Sequence, residues 1–210
     1  MTSPALTLYY APRTRSRTAL WLLEELGQPY ALESFDMASG RHRQPDFLAL
    51  NPMGKVPLVM DGAVPVSELG AIAIHLADRF PQAGLAPAID HPHRPAYLRW
   101  CFFASAIMEP CLAERFFKWQ VPDSTVAWGS YDRMMAALQP AVADSPWLLG
   151  DAFSAADVLV GAAVDFGLTF GAIEKTPTLL AYQARLAARP AYQRADAIEA
   201  RESTRFPRNG

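Results

Sequence analysis

The sequence predicts an α/β domain followed by an all-α domain, and three observations carry that prediction. Residues 1–80 alternate short strand-favouring apolar runs with amphipathic helical stripes. Residues 81–95 hold four prolines, a glycine and two histidines with no periodicity, the composition of a linker. From residue 96 to 210, alanine-rich and aromatic-rich stretches run on without strand alternation.

The first domain is legible element by element. Leu6 to Tyr10 has high strand preference and is ended by Ala11-Pro12. Ala19, Leu22, Leu23 and Leu26 then make an i, i+3, i+4, i+7 stripe that stops at Gly27, which predicts a helix of about three turns burying one face. Tyr30 to Phe35 reads as a second strand, and the polar stretch from Asp36 leads into a short helical turn at Phe47 to Leu50.

The stretch NPMGKVPLVMDGAVPVSELGAIAIHLA, Asn51 to Ala77, is the most informative part of this domain. Val56 to Met60 and Ala63 to Val66 are apolar runs joined by Asp61-Gly62, a pair suited to a tight hairpin turn. Pro57 cannot donate to a ladder, so Val56-Pro57 sits at an edge, a strand start or a cis turn. Ser67 is a good N-cap, and Leu69, Ile72 and Leu76 recur at helical spacing. The first turn of that helix offers free backbone N–H groups, which favour a small carboxylate. Strand, helix, strand, hairpin and helix together make a thioredoxin-like plan.

In the second domain, helices are expected at about 96–119, 124–143, 154–171, 176–188 and 190–200, with a polar tail from Arg201. Ser154 and Asp157 have capping-box spacing at the head of a helix apolar nearly all round, which predicts a buried helix and a folding role for both residues.

Composition narrows the function. At 210 residues with 51% apolar residues the chain can bury a sizeable core. A formal charge of −2 without a basic block argues against a nucleic-acid partner. No run reaches membrane-spanning length and no charged leader opens the chain, so a soluble, cytoplasmic protein is expected. Cys101 and Cys111 lie about 15 Å apart along one helical segment, too far for a disulfide. There is no CxxC, hence no protein dithiol. The histidines, His42, His75, His91 and His93, lack metal-ligand spacing and read as solvated, so no metal is expected.

The residues NPMGKVP, the edge hairpin and SELGAIAIHLADRFP together resemble the glutathione-binding half of the glutathione S-transferase superfamily. SPWLLGDAFSAAD resembles that family's helical-domain signature, so the resemblance covers nearly the whole chain and is of a bacterial, cytosolic type. It implies that Val56, before a cis Pro57, pairs its backbone with the cysteinyl part of glutathione and that Glu68 holds the γ-glutamyl end. Arg15 and Lys55 are implied as further glutathione contacts. The family usually places serine after that glutamate; here Leu69 stands there, with only a backbone N–H to offer. Homodimers are common in the family, and one is expected here.

Catalysis in that family means stabilising the glutathione thiolate, because a free thiol near pKa ~8.5 is mostly protonated at neutral pH. The link ProArgThrArgSerArg after the first strand brings hydroxyls, helix N–H groups and cations together. Ser16 and Thr14 rank ahead of Tyr10, since they fall at the helix start; each also reads as a helix cap or a packed strand residue. Trp100 and Phe103, among Tyr97, Ile107, Met108 and Glu109, are candidates for an apolar wall beside the thiol. Phe116, Phe117 and Trp119 read equally as dimer surface or core. The reading is a glutathione transferase conjugating small hydrophobic electrophiles, with detoxification as its role. The alternatives are another glutathione-dependent reaction (peroxidase, dehalogenase or isomerase) and a binding protein of the same fold without turnover.

Overall fold

Leu6–Tyr10 forms β1, the strand around which the first part of the chain is assembled. The structure is a computed structural model and describes residues 5–122 and 124–207. β1 pairs in parallel with β2 (Tyr30–Ser34) and antiparallel with β3 (Leu58–Asp61), which pairs antiparallel with β4 (Val64–Ser67). The order is β2-β1-β3-β4. The sheet and its helices are thioredoxin-like, as the sequence predicts. The hairpin turn falls one residue later than expected: Asp61 pairs with Val64, so Gly62 and Ala63 turn the chain, with Gly62 at φ +59°.

Helix α1 (Ser16–Leu26) ends on Gly27 in the left-handed conformation, whose N–H donates to the Leu23 carbonyl. The stripe predicts one buried face, yet Leu20 and Trp21 outside it are buried as well. For Trp21 the reason is the last helix, α9 (Pro190–Arg205), which packs along α1. Trp21 meets Tyr192 edge to face at 5.0 Å, Arg17 pairs with Asp196 at 2.5 Å, and Arg194 pairs with Glu24 at 2.6 Å.

The chain divides into two compact units. One runs to Leu76 and takes in the segment from Pro190; the other is Ala77–Arg189. The sequence predicts one helical domain from 96 to 210, so α9 is the difference. Its apolar residues Ala191, Tyr192 and Ala195 are buried in the first unit. The polar tail expected from Arg201 is helical to Arg205, and Glu202 is 3% exposed, accepting a bond from the Ser34 hydroxyl at 2.7 Å.

The short helix expected at Phe47 to Leu50 is α2 (Pro45–Leu50), and α3 (Leu69–Arg79) follows β4. The division between units falls in the last turn of α3. The stretch 81–95, expected as a linker, is pinned to the second unit. Arg94 is buried, its guanidinium bonded to both Asp78 carboxylate oxygens at 2.6 Å and to the Pro87 carbonyl at 3.0 Å, and Leu85 is buried.

The second unit is helical. α4 (Arg94–Phe102) passes through a π-helical segment, Phe103–Met108, into α5 (Glu109–Phe117). Pro110 explains the interruption, since its missing N–H and its ring are incompatible with an undisturbed α register to Ala106. α6 (Tyr131–Ala143) starts later than expected because Pro122 and Gly129, at φ +73°, break the chain before Ser130 caps it. α7 (Ala155–Thr169) is buried nearly all round, and α8 (Pro177–Ala187) packs on it.

The expected capping box is present. Asp157 accepts from the Ser154 N–H at 3.0 Å, and also from the Leu148 N–H and the Tyr182 hydroxyl, both at 2.9 Å. Gly167 lets α7 approach the chain after it: a Cβ there would stand 2.5 Å from Ile173 Cγ1.

Candidate functional site

The strand register collects the candidate residues at one end of the sheet. Tyr9 lies opposite Leu58, and Leu58 opposite Ser67. The 11–15 loop leaves β1 there, Val56-Pro57 enters β3 there, and Glu68 leaves β4 there. β2 is parallel to β1, so the loop from Phe35 emerges at the same end, and the Phe35 N–H donates to the Tyr10 carbonyl at 3.0 Å. With strands about 4.8 Å apart, the distance from β1 to β4 is about 10 Å. A tripeptide extended at about 3.3–3.6 Å per residue spans the same length.

The Val56-Pro57 peptide is cis, the third of the possibilities the sequence leaves open. Val56 stands outside the β3 ladder, so its backbone polar groups are not used by the sheet. Asn51 holds this loop: its side chain donates to the Lys55 carbonyl at 2.9 Å and accepts from the Met53 N–H at 3.2 Å. Gly54 is required where the loop turns, since at φ +59° a Cβ would meet the His42 carbonyl at 3.0 Å. Lys55 is exposed beside it.

The expected N-cap is displaced by one residue. Ser67 ends β4, and Glu68 takes a left-handed backbone at φ +67° while its carbonyl accepts the Ile72 N–H at 2.9 Å. A glutamate in that conformation is strained by about 1–3 kcal/mol, a feature that clusters at functional sites. The turn leaves the Glu68 side chain exposed at the head of α3, beside the first-turn amides beginning with that of Leu69, which have no partner within the helix.

In the 11–15 loop the three hydroxyl candidates separate. Ser16 is fully buried; its Oγ accepts the Ala11 N–H at 3.1 Å and lies 2.8 Å from the Ala11 carbonyl. Thr14 is half-buried; its Oγ1 accepts the Ser16 N–H at 3.1 Å and lies 2.7 Å from that same carbonyl and 2.6 Å from Ser16 Oγ. Two hydroxyl protons therefore serve the Ala11 carbonyl and the hydroxyl–hydroxyl contact; when Ser16 donates to the carbonyl, the Thr14 proton bridges to Ser16 Oγ and is the one that can turn to another acceptor. Tyr10 is fully buried and gives its proton to Glu199 on α9; burial first, then Glu199, raises its pKa.

The basic residues of the loop are largely engaged. Arg17 holds Asp196, and Arg13, at φ +62°, donates from its guanidinium to the Ser203 and Phe206 carbonyls at 3.2 and 2.5 Å. Arg15 opens α1, its carbonyl accepting the Thr18 N–H at 3.0 Å. Pro12, Arg13 and Thr14 line a cleft of ≈ 380 Å³ with Asp36, Met37, Ala38 and Pro207.

Two histidines differ from the expectation of solvated rings. His42 is buried, with Nδ1 unpartnered; burial, then the charges of Arg43 and Lys55, lower its pKa. The basic triplet Arg41-His42-Arg43 is the signal sequence reasoning passed over. His75 is paired to Asp61 at 2.9 Å. Among the described residues no group of three His, Cys, Asp or Glu side chains is placed to hold a metal.

Trp100 and Phe103 belong to the second unit, edge to face at 5.0 Å, with Trp100 buried under the Arg99 guanidinium at 4.2 Å. Phe116, Phe117 and Trp119 are more than half exposed, so they are surface rather than core of that unit.

A thioredoxin-like sheet with a cis-proline loop and an acidic helix start at one edge places the chain in the thioredoxin-like class. The family model described as the glutathione S-transferase N-terminal domain matches residues 4–78. A glutathione transferase from Methylococcus capsulatus strain Bath is 30% identical, with 93% of this chain and 98% of that one covered and a TM-score of 0.77. The theta class glutathione S-transferase of Xanthomonas axonopodis pv. citri, solved with glutathione bound, is also 30% identical over 91% of this chain and 97% of that one, with a TM-score of 0.73. The disulfide-bond oxidoreductase YfcG of Escherichia coli K12 is 29% identical over 164 residues, 72% of this chain and 75% of that protein. The chain belongs to the glutathione S-transferase superfamily.

Proposed function

We propose that the protein is a glutathione transferase that activates the thiol of reduced glutathione for attack on small hydrophobic electrophiles. The observation that carries this reading is the half-buried Thr14 hydroxyl, whose proton Ser16 can release from the Ala11 carbonyl, held at the loop that shares a sheet edge with Val56-Pro57 and Glu68. The γ-glutamyl end lies at Glu68 and the Leu69 amide, the cysteinyl backbone pairs with Val56, and the glycyl carboxylate faces Lys55, His42 and Arg43. Opposite charges then meet at both ends of the tripeptide.

Thr14 donates to the thiolate while Ser16 takes over the Ala11 carbonyl, so no buried acceptor is abandoned. The thiol proton leaves to water. The sulfur lone pair then forms a carbon–sulfur bond, and the leaving group departs with its electron pair. One preorganised donor of this kind is worth about 10²–10³ in rate. The protein acts in the cytoplasm as a homodimer.

A second reading, reduction of mixed disulfides by bound glutathione, is favoured by the likeness to YfcG. Steady-state assays with glutathione and an activated chloroarene, against a mixed-disulfide substrate, separate the two. Conjugation lost in Thr14→Ala and kept in Thr14→Ser supports the first. Glutathione binding with neither turnover would leave a binding protein of the same fold.

A further inference from the structure

We infer that Glu199, on the C-terminal helix, is a positioning residue for the thiol site, an inference that rests on the function proposed above. Its carboxylate ties two points of the β1–α1 connection to α9 at once. Oε2 accepts the Tyr10 hydroxyl, and Oε1 accepts the Arg13 backbone N–H at 2.6 Å and the Ser203 hydroxyl at 3.2 Å. Tyr10 and Arg13 bracket Ala11 and Pro12, and Ala11 carries the N–H and carbonyl that organise the Thr14 and Ser16 hydroxyls.

Arg13 has a left-handed backbone, a conformation a non-glycine residue holds only when its surroundings impose it. Glu199 is the group that fixes its amide, and the Arg13 side chain adds a second tether through the Ser203 and Phe206 carbonyls. Nothing about the 190–205 segment in sequence suggests a link to residue 13, some 186 positions away. The charged neighbours of the contact are Arg13 and Arg17 on one side and Glu202 on the other. Glu199 thus sets the direction of the Thr14 hydroxyl without touching substrate.

The test compares Glu199→Ala, Glu199→Gln and Tyr10→Phe in the full-length protein. Amide exchange at residues 11–16 and the pH dependence of kcat/KM with glutathione are both read. Loss of positioning in Glu199→Ala should speed exchange about tenfold while exchange in α7 stays unchanged. It should also raise the acidic limb of the profile by about one pH unit, a tenfold loss of thiolate at fixed pH. Glu199→Gln keeps an acceptor for the Arg13 amide and should restore most of both, and Tyr10→Phe should fall between. A merely electrostatic Glu199 predicts the opposite sign, the limb moving down in Ala and Gln alike, and that result overturns the proposal. Exchange within twofold of the parent, or faster exchange with an unmoved limb, overturns it too. A parent protein that neither binds nor turns over glutathione contradicts the functional reading first, and is seen before any variant is made.

Discussion

Thr14 Oγ1 and Ser16 Oγ lie 2.6 Å apart and share the Ala11 carbonyl, so one hydroxyl proton holds the carbonyl while the other bridges the two oxygens and can turn to another acceptor. Exposure decides which: Thr14 is half-buried and Ser16 fully buried. Thr14→Ala should lower kcat/KM by about 10²-fold with little change in stability, and Thr14→Ser should keep most activity. Ser16→Ala removes the acceptor of the buried Ala11 N–H and should destabilise by about 1–3 kcal/mol, measured by urea denaturation. Equal effects of the two alanine variants on stability would contradict this division of labour.

Glu68 offers a separation of function from stability. Its φ of +67° suits glycine better than glutamate. Glu68→Gly should therefore raise the thermal midpoint, by the equivalent of up to about 1 kcal/mol, while weakening glutathione binding about tenfold or more by calorimetry. A variant that is both less stable and unimpaired in binding would show that the strain serves no ligand.

Much of this was legible in sequence. The bounds of β1, the stop of α1 at Gly27 and the capping box at Ser154 and Asp157 follow from local chemistry, which neighbouring residues alone determine. The cis bond before Pro57 was one of three open possibilities. What local chemistry does not carry is contact between distant segments. Trp21 is covered by a helix some 170 residues later, and the Tyr10 hydroxyl donates to Glu199 on that same helix. His42 reads as solvated by its sequence neighbours, yet it is buried, with Gly54 of the Asn51–Lys55 loop close against its carbonyl. Ser67 is a better N-cap than Glu68 by propensity, yet pairing with Leu58 holds Ser67 in the strand and moves the cap on by one.

Glu202 makes folding sensitive to acid. Burial alone would raise its pKa, but the Ser34 hydroxyl, Arg201 and Arg205 outweigh burial and hold it below the ordinary carboxylate range. A depressed folded pKa gives stability that is complete above the unfolded value of about 4.3 and is lost as pH falls through the folded value. Glu202→Gln should flatten the urea midpoint against pH below about 4.3. An unchanged slope there would assign the acid sensitivity to other carboxylates.

The cysteines should be silent. Burial pushes the Cys101 thiol up to about 12 and the Cys111 thiol up to about 11. At pH 7 each is thiolate to about one part in 10⁴ or less, so neither is a nucleophile in the folded protein. Cys101→Ala with Cys111→Ala should keep glutathione-dependent turnover within about twofold of the parent. Activity lost through chemistry rather than unfolding would point to a protein thiol in the reaction.

The central claim is that the 11–15 loop lowers the pKa of glutathione's thiol. Thiolate absorbance of the bound tripeptide, titrated against pH in the parent protein and in Thr14→Ala, measures it directly. The account predicts a midpoint at least about one unit below the ~8.5 of a free thiol in the parent, rising toward that value in the variant. A bound thiol that titrates like free glutathione in both proteins would contradict it.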